Sequence, residues 1–247
     1  MRTASADDVV PPLDVDAIGT LGIARHTELF GDATYEHADN SDAIALVPGG
    51  RLAIGDLGFV EGRVPLGYGL QPGAFAFGNV TLAGGLLPTH HRLVALALRI
   101  SAPTSPSTGD GMMSVLALSA PRLADPELFL SHTTSAEVVA DWRWRGDSSW
   151  VQVETGAAGW WQPGDFLPVL RATAAGGVHV EHWLELTASF VTRVRIEHAP
   201  EHFVHSLMLG IVAHDSHGQA TLRLEVPIDA SARDVNRFVV GLELRGR

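Results

Sequence analysis

Seven of the twelve histidines fall between His179 and His217, and some of their spacings can serve a metal. His202 and His205, with Glu201 beside them, would share one face of a helical turn. His179 and His182 would point to opposite faces of a strand. No third ligand stands at a useful distance, so no metal and no cofactor are expected. Glu181 and Glu185 share a strand parity, but four residues of strand separate them by about 13 Å. That is wider than a glycosidase carboxylate pair. Nucleophile-elbow, Walker A and dinucleotide-binding glycine motifs are absent. No catalytic residue is therefore assigned. Arg145-Gly146-Asp147 reads as a hairpin turn.

Aromatic chemistry is more concentrated. Five of the six tryptophans lie within twenty residues: Trp142, Trp144, Trp150, Trp160 and Trp161. Each indole brings a large apolar face and one N–H that needs a partner. Trp142 and Trp144 share a strand parity with Val138 and Ala140, which predicts core packing. Trp160 and Trp161 lie between a Gly/Ala run and Pro163-Gly164, which predicts a loop. There they could stack on a ligand or a partner, with Gln162 and Asp165 supplying hydrogen bonds. These four residues are the candidate binding site.

The elements around them follow a period of two. Val94, Leu96, Leu98 and Ile100 share one parity. So do Ala220, Leu222, Leu224 and Val226, and likewise Phe238, Val240, Leu242 and Leu244. Such alternation predicts half-buried antiparallel strands with their apolar parity in a core. Shorter strands are expected near 43–47, 74–81, 112–119, 150–154, 191–197 and 206–213, and a turn at His214–Gly218. One short helix is expected near 166–175, capped by Asp165 and stopped by Gly176-Gly177. The fold class is all-β: an antiparallel β-sandwich of jelly-roll type. An extended, proline-containing acidic arm occupies residues 1–40 and the sandwich residues 41–247.

Composition narrows function further. The formal charge is −11, which disfavours nucleic acid and anionic lipid. There is no cysteine, hence no disulfide or thiolate chemistry, and no lysine. Residues 1–16 lack the basic-then-apolar layout of a signal peptide, and no apolar run is long enough for a membrane helix. The expectation is a soluble product of the bacterial cytoplasm without membrane contact.

Three stretches carry a resemblance. They are Gly31–Tyr35 with Asp39–Asp42; Gly85–Pro88 with the strand Arg92–Ile100; and Ser149–Val153 with Trp161–Asp165. Across residues 31–197 the chain resembles virion structural proteins of tailed bacteriophages. The resemblance implies a minor tail, tail-fibre or head-decoration protein located in the virion, forming a homo-oligomer among other virion proteins and carrying no catalytic residues. One alternative is a carbohydrate-binding module whose loop tryptophans hold a glycan. Another is a β-barrel cyclase or isomerase using buried His182 and His198.

Overall fold

A computed structural model describes residues 27–38, 41–55, 58–71, 73–86, 94–119, 125–196, 203–229 and 236–246. Its strands are β1 (Glu28–Ala38), β2 (Ser41–Ile54), β3 (Gly58–Arg63), β4 (Leu66–Gly69), β5 (Ala74–Phe77), β6 (Thr81–Leu86) and β7 (Val94–Ser101). They continue with β8 (Thr134–Arg145), β9 (Ser149–Gln162), β10 (Asp165–Glu181), β11 (Leu184–Arg195), β12 (Phe203–His214), β13 (Gly218–Pro227) and β14 (Asn236–Gly246). Every pairing is antiparallel, and β1 pairs with both β14 and β2. The sheet is thereby closed into a twelve-stranded barrel. A closed barrel has no free edge, whereas a jelly-roll sandwich would split these strands into two sheets.

Fourteen assigned strands make twelve staves because two staves are broken. β3 and β4 continue one register against β2, with Gly49 opposite Arg63 and Leu46 opposite Leu66. Only Val64-Pro65 interrupts them, and proline has no N–H to give the ladder. β5 and β6 form the next stave, offset by one residue across Gly78–Val80.

The predicted helix near 166–175 is strand. β10 runs through it, paired residue by residue with β9 and β11. Gly177 is there because of contact, not as a helix stop: a Cβ would lie 2.4 Å from Trp150 Nε1. Among the described residues the α-helix is α1 (Gly109–Ser119), in the insertion between β7 and β8, where a strand over 112–119 was expected. Asp110 in its first turn suits the helix dipole. Ser114, Val115 and Leu118 fall on one buried side, a helical spacing. A turn of 3-10 helix, Pro126–Leu128, follows. Of the arm expected over residues 1–40, residues 1–26 lie outside the described residues, and Glu28–Ala38 is a stave of the barrel.

The alternation is real, but the expected faces are reversed. On β7 the buried parity is Ala95, Ala97, Arg99 and Ser101, while Leu96, Leu98 and Ile100 are exposed. On β13 Thr221, Arg223 and Glu225 are buried, while Leu222 and Leu224 are exposed. On β8 Glu137, Val139, Asp141 and Arg143 point inward, and Trp142 and Trp144 sit on the outer parity. The tryptophan pair expected in the core is thus on the outside. Buried apolar clusters are small, and the largest joins the insertion to the wall.

Candidate functional site: a charged barrel interior and the insertion packed against it

Three polar groups fill the lumen. The first lies at mid-wall. Arg99 on β7 donates to Glu127 at 2.8 Å and to Glu137 on β8 at 3.2 Å. Arg171 on β10 reaches Glu137 at 3.2 Å and also pairs with Glu154 on β9. Arg193 on β11 lies 3.3 Å from the other oxygen of Glu127. All six side chains are nearly inaccessible to solvent. Gly156 makes room for this network, since a Cβ there would lie 2.5 Å from Glu137 Oε1. Charges taken from water hold only when they pair and saturate their hydrogen bonds, and the flat, multi-donor guanidinium suits that task.

The second group lies near the end of the barrel where β1 begins. Arg51 pairs with Glu61 at 2.5 Å and with Glu28 at 3.4 Å, and Arg63 reaches Glu61 at 2.7 Å. Arg245 pairs with Glu28 at 3.1 Å and with Glu243, and Arg223 pairs with Asp32 at 2.6 Å. Phe30 lies between the Arg63 and Arg245 guanidiniums, at 5.2 and 5.4 Å from its ring centre. In the third group Trp150 Nε1 donates to Glu185 at 2.7 Å, and His179 lies 3.1 Å from the same carboxylate. Arg143 donates to Gln152 at 2.8 Å, and Gln152 donates to Asp141 at 2.7 Å.

The insertion seats against the broken staves. Asn79, at the offset between β5 and β6, donates to the carbonyls of Glu127 (2.9 Å) and Leu130 (2.7 Å) and accepts from Ser105 N–H (3.2 Å). Its own N–H donates to the Leu128 carbonyl at 2.6 Å. Below it, Gly67 and Gly69 let the helix lie against bare backbone. A Cβ on Gly67 would come within 2.0 Å of Leu118, and one on Gly69 within 3.1 Å of Ser114 Cβ. Leu118, Leu128 and Phe129 pack there with Ala43, Ala45 and Val47 of β2. The seat holds Glu127 beside Arg99 on the neighbouring stave and within reach of Arg193 on β11.

The four candidate residues stay together at the β9–β10 hairpin, where Gln162 pairs with Asp165. Trp160 and Trp161 end β9 rather than forming a loop, so they face opposite ways: Trp160 is 8 % exposed and inward, Trp161 45 % exposed and outward. Trp161 packs against Phe166 across the Pro163-Gly164 turn, with ring centres 5.2 Å apart. Gln162 donates to Thr133 Oγ1, and Asp165 accepts from the Phe166 N–H. Of the histidines, His202 and His198 lie outside the described residues, and His182 is in the β10–β11 turn. His205 stacks on Phe190 at 5.5 Å. Among the described residues no three His, Asp or Glu side chains converge as a metal site.

The arginine–glutamate network was not visible in the sequence because Arg171 fell in the expected helix near 166–175 and Glu127 in a connection without pattern. One signal was present: the chain has no lysine, so each Lys/Arg-type cation is an arginine, the cation best suited to buried pairing.

No family model and no curated protein matches the chain. Solved structures do. An outer membrane channel (COG4313) from Pseudomonas putida F1 superposes with a TM-score of 0.61 at 11 % identity, covering 89 % of this chain and 94 % of that one. The KdgM porin in complex with disordered oligogalacturonate gives 0.55 at 6 % identity, covering 88 % and 98 %. LpxR from Salmonella typhimurium gives 0.51 at 10 %, covering 89 % and 99 %. These matches overturn the phage resemblance and with it the virion location and partners. They also overturn the carbohydrate module, the cyclase and the expectation of no membrane contact. At such identities the likeness shows the fold, which is a closed antiparallel barrel of the outer-membrane type.

Proposed function

We propose that the chain spans the bacterial outer membrane as a β-barrel and serves as a passage for small solutes, held shut by the insertion between β7 and β8. The reversed faces carry this reading. Leu, Val, Ile and aromatic side chains are exposed on the outer parity of stave after stave, while ionised groups are buried inside. In water this arrangement forfeits the hydrophobic driving force and exposes far more contiguous apolar surface than a soluble monomer carries. In a bilayer it is the stable one, since closure satisfies every ladder and the apolar face meets lipid. No described helix is long and apolar enough to cross a membrane, so strands would do the crossing.

Outward aromatics gather at the two rims. Tyr68 and Phe75 flank the β4–β5 turn with centroids 4.7 Å apart, and Phe75 is 81 % exposed. Trp161, Phe166, Phe203 and the Tyr35–Phe238 pair lie toward the same rim. Trp144 and Trp183 lie toward the other, next to the β8–β9 and β10–β11 turns. Aromatic girdles at both interfaces are what a membrane barrel requires. The passage reading draws on a lumen lined by charge and filled by a segment that is not itself a stave. Refolded protein added to a planar bilayer should give discrete current steps at low open probability. Failure to insert into lipid would overturn the reading.

A further inference from the structure

We propose that Arg99 and Arg193 form a carboxylate-binding site that Glu127 occupies as a resident ligand, and that a small organic carboxylate entering the lumen displaces Glu127 and frees the insertion. This rests on the passage reading and adds its solute class.

Charge is the first ground. The wall supplies three guanidiniums, Arg99, Arg171 and Arg193, against two carboxylates, Glu137 and Glu154. The insertion supplies the rest: Glu127, and Asp125, whose charge also bears on Arg171 and Arg193. Among the described ionisable residues of that insertion, Asp110, Asp125, Glu127 and His132, only Glu127 is buried. Withdrawal of the insertion takes Glu127 out of a dry wall together with Asp125, and an anion in its place keeps the buried guanidiniums paired.

Shape is the second ground. The two oxygens of Glu127 are addressed by different arginines, Oε1 by Arg99 at 2.8 Å and Oε2 by Arg193 at 3.3 Å. The arginines stand on β7 and β11, four strands apart in the ring. A two-oxygen anion bridges that gap, and a monatomic ion does not. Exchange of one carboxylate for another preserves the pairing throughout. Asp125 apart, the seat is neutral: hydrogen bonds to Asn79, Leu118 over Gly67 and Ser114 against Gly69. Phe129 and Leu118 pack together over Gly67, so the helix and the 3-10 turn move as one body.

The test is single-channel recording of the full chain in sodium chloride, with acetate as probe and acetamide as its uncharged isostere. Acetate at constant ionic strength should raise the wild-type open probability about tenfold or more, and acetamide should leave it unchanged. Glu127→Gln should be open already in chloride, anion-selective, and indifferent to acetate. Because that variant could fold poorly, a second one keeps the wall charges intact. The pair Gly69→Cys and Ser114→Cys, in a chain with no other cysteine, brings two Cβ atoms to within a few tenths of an ångström of disulfide range. Oxidised, it should abolish the acetate response, and reduction should restore it. Equal opening in acetate, acetamide and chloride, or an acetate response that survives oxidation, overturns the carboxylate site and leaves the passage standing. Silence of wild type and Glu127→Gln in every solution overturns both.

Discussion

Arg99 on the barrel wall donates a 2.8 Å hydrogen bond to Glu127 in the 3-10 turn of the insertion. The pair ties a segment inside the lumen to the stave from which that segment departs. Arg193 approaches the same carboxylate from β11, four strands round the ring, so the tie is shared between two parts of the wall.

Removing the charge while keeping the shape should be costly. Glu127→Gln removes the carboxylate that Arg99 and Arg193 share in a site that solvent barely reaches. Losing one partner of a buried pair costs about 3–5 kcal/mol. Urea unfolding from lipid vesicles, followed by tryptophan emission, should show a loss of that order. A loss under about 0.5 kcal/mol, typical of an exposed pair, would mean that water fills the lumen at this level.

Gly67 should be the seat of the insertion. A side chain there meets Leu118 Cδ1 at 2.0 Å, so Gly67→Val should lift the helix without touching any charge. Val115 is fully buried in the wild type. In a Val115→Cys background the added valine should speed maleimide labelling by roughly tenfold, as local opening becomes easier. An unchanged rate would show that the helix does not rest on this glycine.

Leu222 should face lipid. It is half-exposed on β13 between the buried Thr221 and Arg223. Leu222→Arg should cost about 2–4 kcal/mol in a bilayer, the penalty for arginine near mid-membrane. On a water-exposed surface the same change would stay within about 0.5 kcal/mol. Unfolding free energies in vesicles separate the two.

Much of the strand pattern is legible in the chain, and the runs Val94–Ile100, Ala220–Val226 and Phe238–Leu244 all proved to be staves. The turn between His214 and Gly218 was also readable. Asp215 Oδ1 accepts from the N–H groups of His217 and Gly218, which holds its carboxyl below the usual range. Which side of each strand met water was not legible, because period-two alternation is identical for a sheet with an apolar core and for one with an apolar exterior. Closure was hidden too, since it depends on β1 meeting β14 across the length of the chain. The helix near 166–175 was misread because Pro168 and Gly176-Gly177 carry helix punctuation, while their real partners, Gly159 and the Trp150 indole, are distant in sequence. Trp160 and Trp161 were conspicuous in the sequence. Glu127 was not, because a lone glutamate in a long connection has no local pattern.

Those adjacent tryptophans offer the most direct test that the barrel wears its apolar face outward in a membrane. Two single-tryptophan variants, one keeping Trp160 and one keeping Trp161, would be refolded into vesicles of lipids brominated along their acyl chains. Trp161 lies on the outer face beside Phe166, and Trp160 is buried inside the wall. The bromines should quench Trp161 strongly and Trp160 little. Equal quenching of both, or none of either, would contradict a membrane-spanning barrel with these faces.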